Sequence, residues 1–364
     1  MGGSPDTGDQ DIGLNGLIDE VYVFNSALSQ AQVQSLYGRN STGMPVLPAA
    51  TAVTVASGAV LDINGLSQTI GSLAGTGNLV LGDDAAAVGN LTLGDANSTV
   101  FGGLISDSGL ESVTKVGAGT LTLTRANSYR GSTTVSNGTF LVDGSTGGGN
   151  VTVASGATLG GGGMIGGTVT IQSGGTLSPG PSAGAIGTLT LSNTPVLNGM
   201  TLMKINRNGG AYLNDRIALT AGTFSGGGVL EVTNLGAALQ AGDAFQLFSA
   251  TTYGGNFAAA NLPLLGSHLY WTNTLAQNGK ITVASLISLA ATNLSWTVSG
   301  TNLNLSWPSD HIGWRLLMQT NHLNLGLSVN PADWTTVVLS QATNQVYVPI
   351  NDLSPAEFYR LVYP

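Results

Sequence analysis

The 364-residue chain has no cysteine. Disulfide frameworks, thiol catalysis and Cys-ligated metals are therefore excluded. Charge is nearly as scarce. Asp, Glu, Lys and Arg make up 8% of residues, against about a quarter in ordinary globular chains. The ten basic residues are scattered, with no Lys/Arg cluster. The chain offers nucleic acid no run of phosphate partners and an anionic membrane no polybasic patch. No apolar run approaches the roughly 18 residues of a spanning helix, so membrane insertion is not expected. Proline, at 12 residues, is too rare for a collagen-like chain. The Ala, Glu, Lys, Leu and Arg bias of helical bundles is missing as well.

What the chain has is glycine, 54 residues of it, about twice ordinary usage. Apolar residues reach 42%, which excludes a disordered solvating polymer. Ser, Thr, Asn and Val accompany the glycines, and this is strand-and-turn chemistry. Net charge is −9 and the pI is near 4.5. A chain this long implies two or three structural units. Met1-Gly-Gly-Ser-Pro-Asp6 lacks the basic start and apolar stretch of a signal peptide. Because the rest of the chain has an exported character, the expectation is an extracellular or cell-surface protein whose signal peptide is missing from this chain.

The first forty residues stand apart. Ser29 and Gln32 form a capping box, Leu28 and Val33 a hydrophobic staple, and Gly38 a C-terminal stop. They predict one short helix over 29–37, after a strand over 16–24. The run Gly16-Leu-Ile-Asp-Glu-Val-Tyr-Val-Phe-Asn-Ser-Ala-Leu-Ser-Gln-Ala-Gln-Val-Gln-Ser-Leu-Tyr37 resembles the C-terminal end of a laminin-G-like, concanavalin-type lectin domain. The resemblance implies that residues 1–40 are a remnant of such a domain, with Asp19 and Glu20 as its structural acidic pair. Residues 41–50 read as a linker.

Periodicity then begins. Thr134-Val135, Thr152-Val153 and Thr170-Ile171 recur every eighteen residues, as do Leu141, Leu159 and Leu177, and Gly144, Gly162 and Gly180. Short fixed periods signal a solenoid. Alternating Val, Ile and Leu point inward, Gly and Asn take the corners, and stacked rungs bond to one another. The expected fold is all-β: a right-handed parallel β-helix over 51–285, with about eight rungs in 51–200 at roughly 4.8 Å each. Strands after residue 200, such as 215–219, 228–232 and 242–248, would close its end.

Thr114-Lys-Val-Gly-Ala-Gly-Thr-Leu-Thr-Leu-Thr-Arg-Ala-Asn-Ser-Tyr-Arg-Gly-Ser-Thr-Thr-Val-Ser-Asn-Gly-Thr-Phe-Leu-Val142 is similar to the autotransporter-associated β-strand repeat. This resemblance implies a passenger-type solenoid of an exported bacterial protein. No β-barrel translocator sequence follows, so a self-exporting autotransporter is not expected.

Residues 290–364 hold four of the five tryptophans. Leu294, Trp296 and Val298 alternate, 299–302 turns, and Leu303, Leu305 and Trp307 alternate again. Further strands are read over 314–319, 334–339, 345–350 and 357–363. About six strands in so short a span suggest a small fibronectin-III-like β-sandwich. The ending Phe358-Tyr-Arg-Leu-Val-Tyr-Pro364 resembles the tail of some large exported bacterial proteins.

Candidate chemistry is sparse. Asp19 and Glu20 are adjacent on a strand and face opposite ways, so they cannot act as a carboxylate pair. Asp6, Asp9 and Asp11 could hold Ca²⁺ through oxygen ligands or form a solvated turn. Asp83, Asp84 and Asp95 could bind calcium or converge on one solenoid face as in β-helical polysaccharide lyases, with Lys115 the nearest base. They could equally be structural loops, and the Gly-Gly-x-Gly-x-Asp calcium repeat is absent. His268, His311 and His322 sit in no zinc or nucleophile motif. Asp310-His311 is adjacency, not a triad. The Gly-rich runs lack the Lys of a phosphate loop. Trp307, Trp314 and Trp334 are the tentative glycan-binding residues, as stacking platforms for sugar rings, or else the core of the terminal sandwich. No cofactor is expected. The reading is a non-enzymatic fragment of an exported bacterial surface protein, a solenoid stalk or adhesin-like display module with extracellular glycans or cell-surface polymers as partners. The alternatives are a glycan-binding module and part of a β-helical polysaccharide-degrading enzyme.

Overall fold

The computed structural model describes residues 47–82, 88–182, 184–208, 211–351, 354 and 356–363. The chain divides into two units, Met1–Met44 and Pro45–Pro364, and every described residue belongs to the second. The lectin-like run, its helix over 29–37, and Asp6, Asp9, Asp11, Asp19, Glu20, Asp83 and Asp84 lie outside the described residues.

The alternation read from the sequence does build a parallel β-solenoid. One column of strands starts at Val53–Val55 and Leu73–Gly75. It continues through Thr120–Leu123, Thr139–Val142, Thr158–Gly161 and Thr176–Pro179 to Met200–Asn208 and beyond. A second column runs from Gln68–Ile70 through Ser112–Lys115, Val151–Val153 and Val169–Ile171 to Val196–Leu197. Shorter strands, among them Asn78–Val80 and Thr188–Leu191, make the third side. Like residues stack on like. Leu121, Phe140, Leu159 and Leu177 form one inward row. Ile70, Leu93, Lys115, Val135, Val153, Ile171 and Leu197 form another. Each fully buried Leu or Ile contributes about 1.5–3 kcal/mol, and no single rung could bury them alone.

The strict eighteen-residue period slips by one at this rung and misassigns both Leu141 and Gly144, since Ser145 pairs with Met164. Thr139 pairs with Thr158, nineteen residues on, so Phe140 rather than Leu141 stacks on Leu159. Leu141 belongs to the outward row with Thr122, Gly160 and Ser178. The corners behave as expected. Gly117 holds a φ of +68°, and a Cβ there would stand 2.4 Å from the Asp95 carbonyl oxygen of the preceding rung.

After residue 200 the cross-section grows. Met200–Asn208 is nine residues long, pairs in parallel with Val229–Asn234, and folds back on Ala211–Asn214. Phe224 and Phe248 stack at 4.0 Å with Phe257 beside them. An antiparallel sheet of Ala244–Gln246, Lys280–Ser285 and Leu269–Thr274 then closes the core. Between its last two strands lies a four-residue helix, Leu275–Asn278, which the sequence reading did not foresee.

The C-terminal strands form two three-stranded antiparallel sheets. One is Ser295–Ser299, Asn302–Ser306 and Gln345–Pro349. The other is Thr335–Thr336, Arg315–Thr320 and Glu357–Val362. Leu305, Trp307, Leu316 and Val346 pack between them. The strand expected over 334–339 shortens to two residues, because Leu339 adopts a φ of +63° and a 3-10 turn follows at Ser340–Ala342. Among the described residues no helix is long and apolar enough to cross a membrane.

Candidate functional site

In each solenoid strand, the residue between two inward side chains faces out. On the second column this places Thr69, Thr92, Thr114, Thr134, Thr152 and Thr170 in one register-matched line, ended by Val196. Neighbouring polar groups tie the line together. The Asn90 amide donates to Thr92 Oγ1 at 2.8 Å, and Ser112 and Thr114 hydroxyls donate to Asn90 Oδ1 at 2.8 and 3.1 Å. Hydroxyls and amides hydrate well, so this face needs no charge.

The first column carries a second ladder, and this one borders a groove. Ser98, Thr120, Thr139, Thr158 and Thr176 line one side of a depression of about 560 Å³. Leu141, Met200 and Leu202 supply its apolar part, and no charged side chain lines it. Gly160 lies between Leu141 and Ser178 in the same row. A Cβ at that position would meet the Ser178 carbonyl oxygen at 2.4 Å and Leu141 Cδ2 at 2.9 Å.

The acidic candidates do not assemble into a reactive set among the described residues. Asp95 forms a local turn, accepting from the Asn97 backbone N–H at 2.7 Å and from its side-chain amide at 3.0 Å. Lys115 is no free base. Its stem lies in an inward apolar row and its ammonium donates to the carbonyls of Val116, Gly117 and Asn137 at 2.6, 3.0 and 3.3 Å. Burial pulls its pKa down, against the opposing pull of Asp95. No group of three or more His, Cys, Asp or Glu side chains among the described residues is placed to hold a metal ion.

Sequence reasoning passed over Glu111. It is 1% exposed, and neither carboxylate oxygen has a hydrogen-bond partner. The alternation that turns Val113 inward turns Glu111 inward too. Nearby, Asp107 Oδ2 accepts from the Arg130 and Gly131 backbone N–H groups at 2.8 and 3.3 Å, while its Oδ1 is buried and unpartnered. Tyr129 is fully buried, shares a 2.7 Å hydrogen bond with Thr133, and has its pKa pushed up to about 12 by burial.

The three indoles read either as sugar platforms or as the core of the terminal sandwich lie in the interior. Trp307, Trp314 and Trp334 are 3%, 8% and 8% exposed. Trp314 Nε1 donates to the Ser288 carbonyl at 3.0 Å, and Trp334 Nε1 to that of Ser328 at 2.9 Å. The Arg360 guanidinium lies over Trp334, 4.0 Å from the ring centroid. Trp296, on the neighbouring hairpin, is 68% exposed. His311 is buried against Trp314, with its ring between the Asp310 carboxylate and the Ala290 carbonyl.

Residues 113–142 match the passenger-associated-transport-repeat family. The matched segment contains Thr120–Leu123, Thr133–Val135 and Thr139–Val142, which supply strands to both long columns. No curated protein matches the chain. The matched repeat and the parallel solenoid point to a passenger-type protein of the cell surface.

Proposed function

We propose that the chain is a stalk and display segment of an exported bacterial surface protein, acting by spacing and adhesion rather than by turnover. The observation that carries this reading is the passenger-type repeat over 113–142, lying within a continuous parallel solenoid. The outer faces support it, since both long columns present hydroxyl ladders. In this reading residues 1–40 are the end of a laminin-G-like lectin domain and 41–50 a linker. Residues 51–285 are the rod with its closing strands, and 290–364 a terminal sandwich. The location is extracellular or on the cell surface. Purified protein incubated with a panel of polysaccharides tests it. Release of reducing ends or unsaturated uronates above a heat-denatured control overturns the non-enzymatic reading, and unchanged polymer supports it.

A second reading rests on the groove beside Thr139 and Thr158. Its ladder repeats once per rung, close to the length of one unit in an extended 1,4-linked sugar chain. Its lining is uncharged and partly apolar, which suits a neutral glycan lying along the rod. Affinity electrophoresis through neutral linear glucans and mannans tests it. Retardation that is abolished by Thr158→Arg supports this reading, and unretarded migration removes it.

A further inference from the structure

Two cations on this acidic chain lack acidic partners, and the fold brings them to one hollow. Asp215 is buried in an ion pair with Lys204, while the next residue, Arg216, is exposed. Asp243 is likewise buried and is bound by Arg207 at 3.1 Å. The carboxylates beside this part of the chain are thus taken up by inner pairs. Arg216 and Lys280 form no ion pair among the described residues. Both line a hollow of about 580 Å³ that no acidic side chain borders. Its size falls within the roughly 300–1,000 Å³ of small-ligand sites.

Four strands build the hollow. Asn214 ends Ala211–Asn214, and Arg216 begins Arg216–Leu219. Gln246 stands opposite Lys280 where Ala244–Gln246 pairs with Lys280–Ser285. The two side-chain amides are fixed in orientation. The Asn214 amide nitrogen donates to the Asp215 and Gln246 carbonyls, both at 2.7 Å. The Gln246 amide nitrogen donates to the Phe248 and Asn278 carbonyls. Both donors of each amide are used, and the amide oxygens accept from no described residue, so they are left for an outside donor. Tyr212 stands edge-on to Phe245 and is 44% exposed. Tyr253 is held through its hydroxyl, which accepts from the Ala250 N–H at 3.0 Å and donates to the Phe248 carbonyl at 3.3 Å.

A simple anion would satisfy the cations and set its charge against the two amide oxygens. A neutral sugar would satisfy the oxygens and leave the cations idle. The set as a whole asks for hydroxyl donors and a carboxylate on one ring, with an apolar face to lie against tyrosine. We propose that this hollow binds a hexuronate unit of an acidic glycan. Its carboxylate meets Arg216 and Lys280, and its hydroxyls donate to Asn214 Oδ1 and Gln246 Oε1. The site shares no lining residue with the uncharged groove beside Thr139 and Thr158. The inference does not rest on the stalk reading.

Calorimetric titration of the full chain with tetragalacturonate tests it, alongside the double variant Arg216→Gln/Lys280→Gln and, as a control, Arg130→Gln. All three positions are exposed, and unshifted melting curves verify that the variants are folded. The expected result is saturable binding that the double variant weakens by about tenfold or more and Arg130→Gln leaves unchanged. Mannotetraose and inorganic phosphate, as separate probes, are each expected to bind at least about tenfold more weakly than tetragalacturonate. No binding of tetragalacturonate, binding that the double variant leaves as tight, a loss shared by Arg130→Gln, or equal binding of mannotetraose or phosphate would each overturn the proposal.

Discussion

Lys204 Nζ and Asp215 Oδ2 meet at 2.8 Å with almost no solvent on either side chain. The pair sits where the solenoid outgrows its repeat. Lys204 also donates to the Pro179 carbonyl at 2.7 Å, and Asp215 accepts from the backbone N–H groups of Gly187 and Lys204 at 2.9 and 2.8 Å. A buried ion pair adds little over apolar packing, but half of one is costly. Lys204→Met is therefore expected to destabilise by about 3–5 kcal/mol. Lys204→Met/Asp215→Leu should recover much of that loss. Urea unfolding of the three proteins checks it, and a double variant no better than the single would contradict the argument.

His311 gives a pH prediction. Its Nε2 lies 2.8 Å from the Ala290 carbonyl and its Nδ1 2.7 Å from Asp310 Oδ1. Both partners accept, so the ring serves them best when doubly protonated. Burial pulls the pKa down, and the bonds to Ala290 and Asp310 outweigh it, leaving a net rise above 6.5. With the folded value above the unfolded one, this stabilisation is complete below the unfolded pKa and is lost as pH rises through the folded pKa. Melting temperature is expected to fall between about pH 6 and pH 8 in the unaltered chain, and to fall less in His311→Gln. Parallel curves for the two would refute this.

Leu159 and Leu141 differ by facing. Leu159→Asp places an unpaired charge in a stacked inward row and is expected to cost about 3–5 kcal/mol. Leu141→Ser changes the groove wall and is expected to cost far less. Denaturant midpoints decide, and equal losses would mean the register is wrong.

Lys115→Met keeps the stem and removes the ammonium from three carbonyls. A loss of about 1–3 kcal/mol is expected, with amide exchange quickening at the corner near residue 117. An unchanged midpoint would mean those carbonyls find water instead.

The rod was legible because its information is local. Alternation in Val151–Val153 and Val169–Ile171 is visible to the eye, and their period fixes which strand follows which. One insertion was enough to defeat that arithmetic at Leu141. The terminal hairpin was equally plain from Trp296, Val298, Leu303 and Leu305. The interior polar groups were not legible. Glu111 follows the same alternation as its apolar neighbours. Lys204 and Asp215 meet only through a fold-back whose geometry no spacing encodes. The tryptophans show the limit for the candidate site. Their number marked a small core or a binding face, and tertiary packing alone settled that Trp307, Trp314 and Trp334 lie inside while Trp296 lies outside.

The register of the columns also has a mechanical meaning. Strands run across the rod, so the hydrogen bonds between rungs point along its length. A pull on the two ends loads those bonds in series, a few at a time. Such a rod yields rung by rung from whichever end opens first, each step releasing about one repeat of chain. Under flow, its contour length becomes a quantity that tension can draw out in increments, which single-molecule extension would record as an even sawtooth.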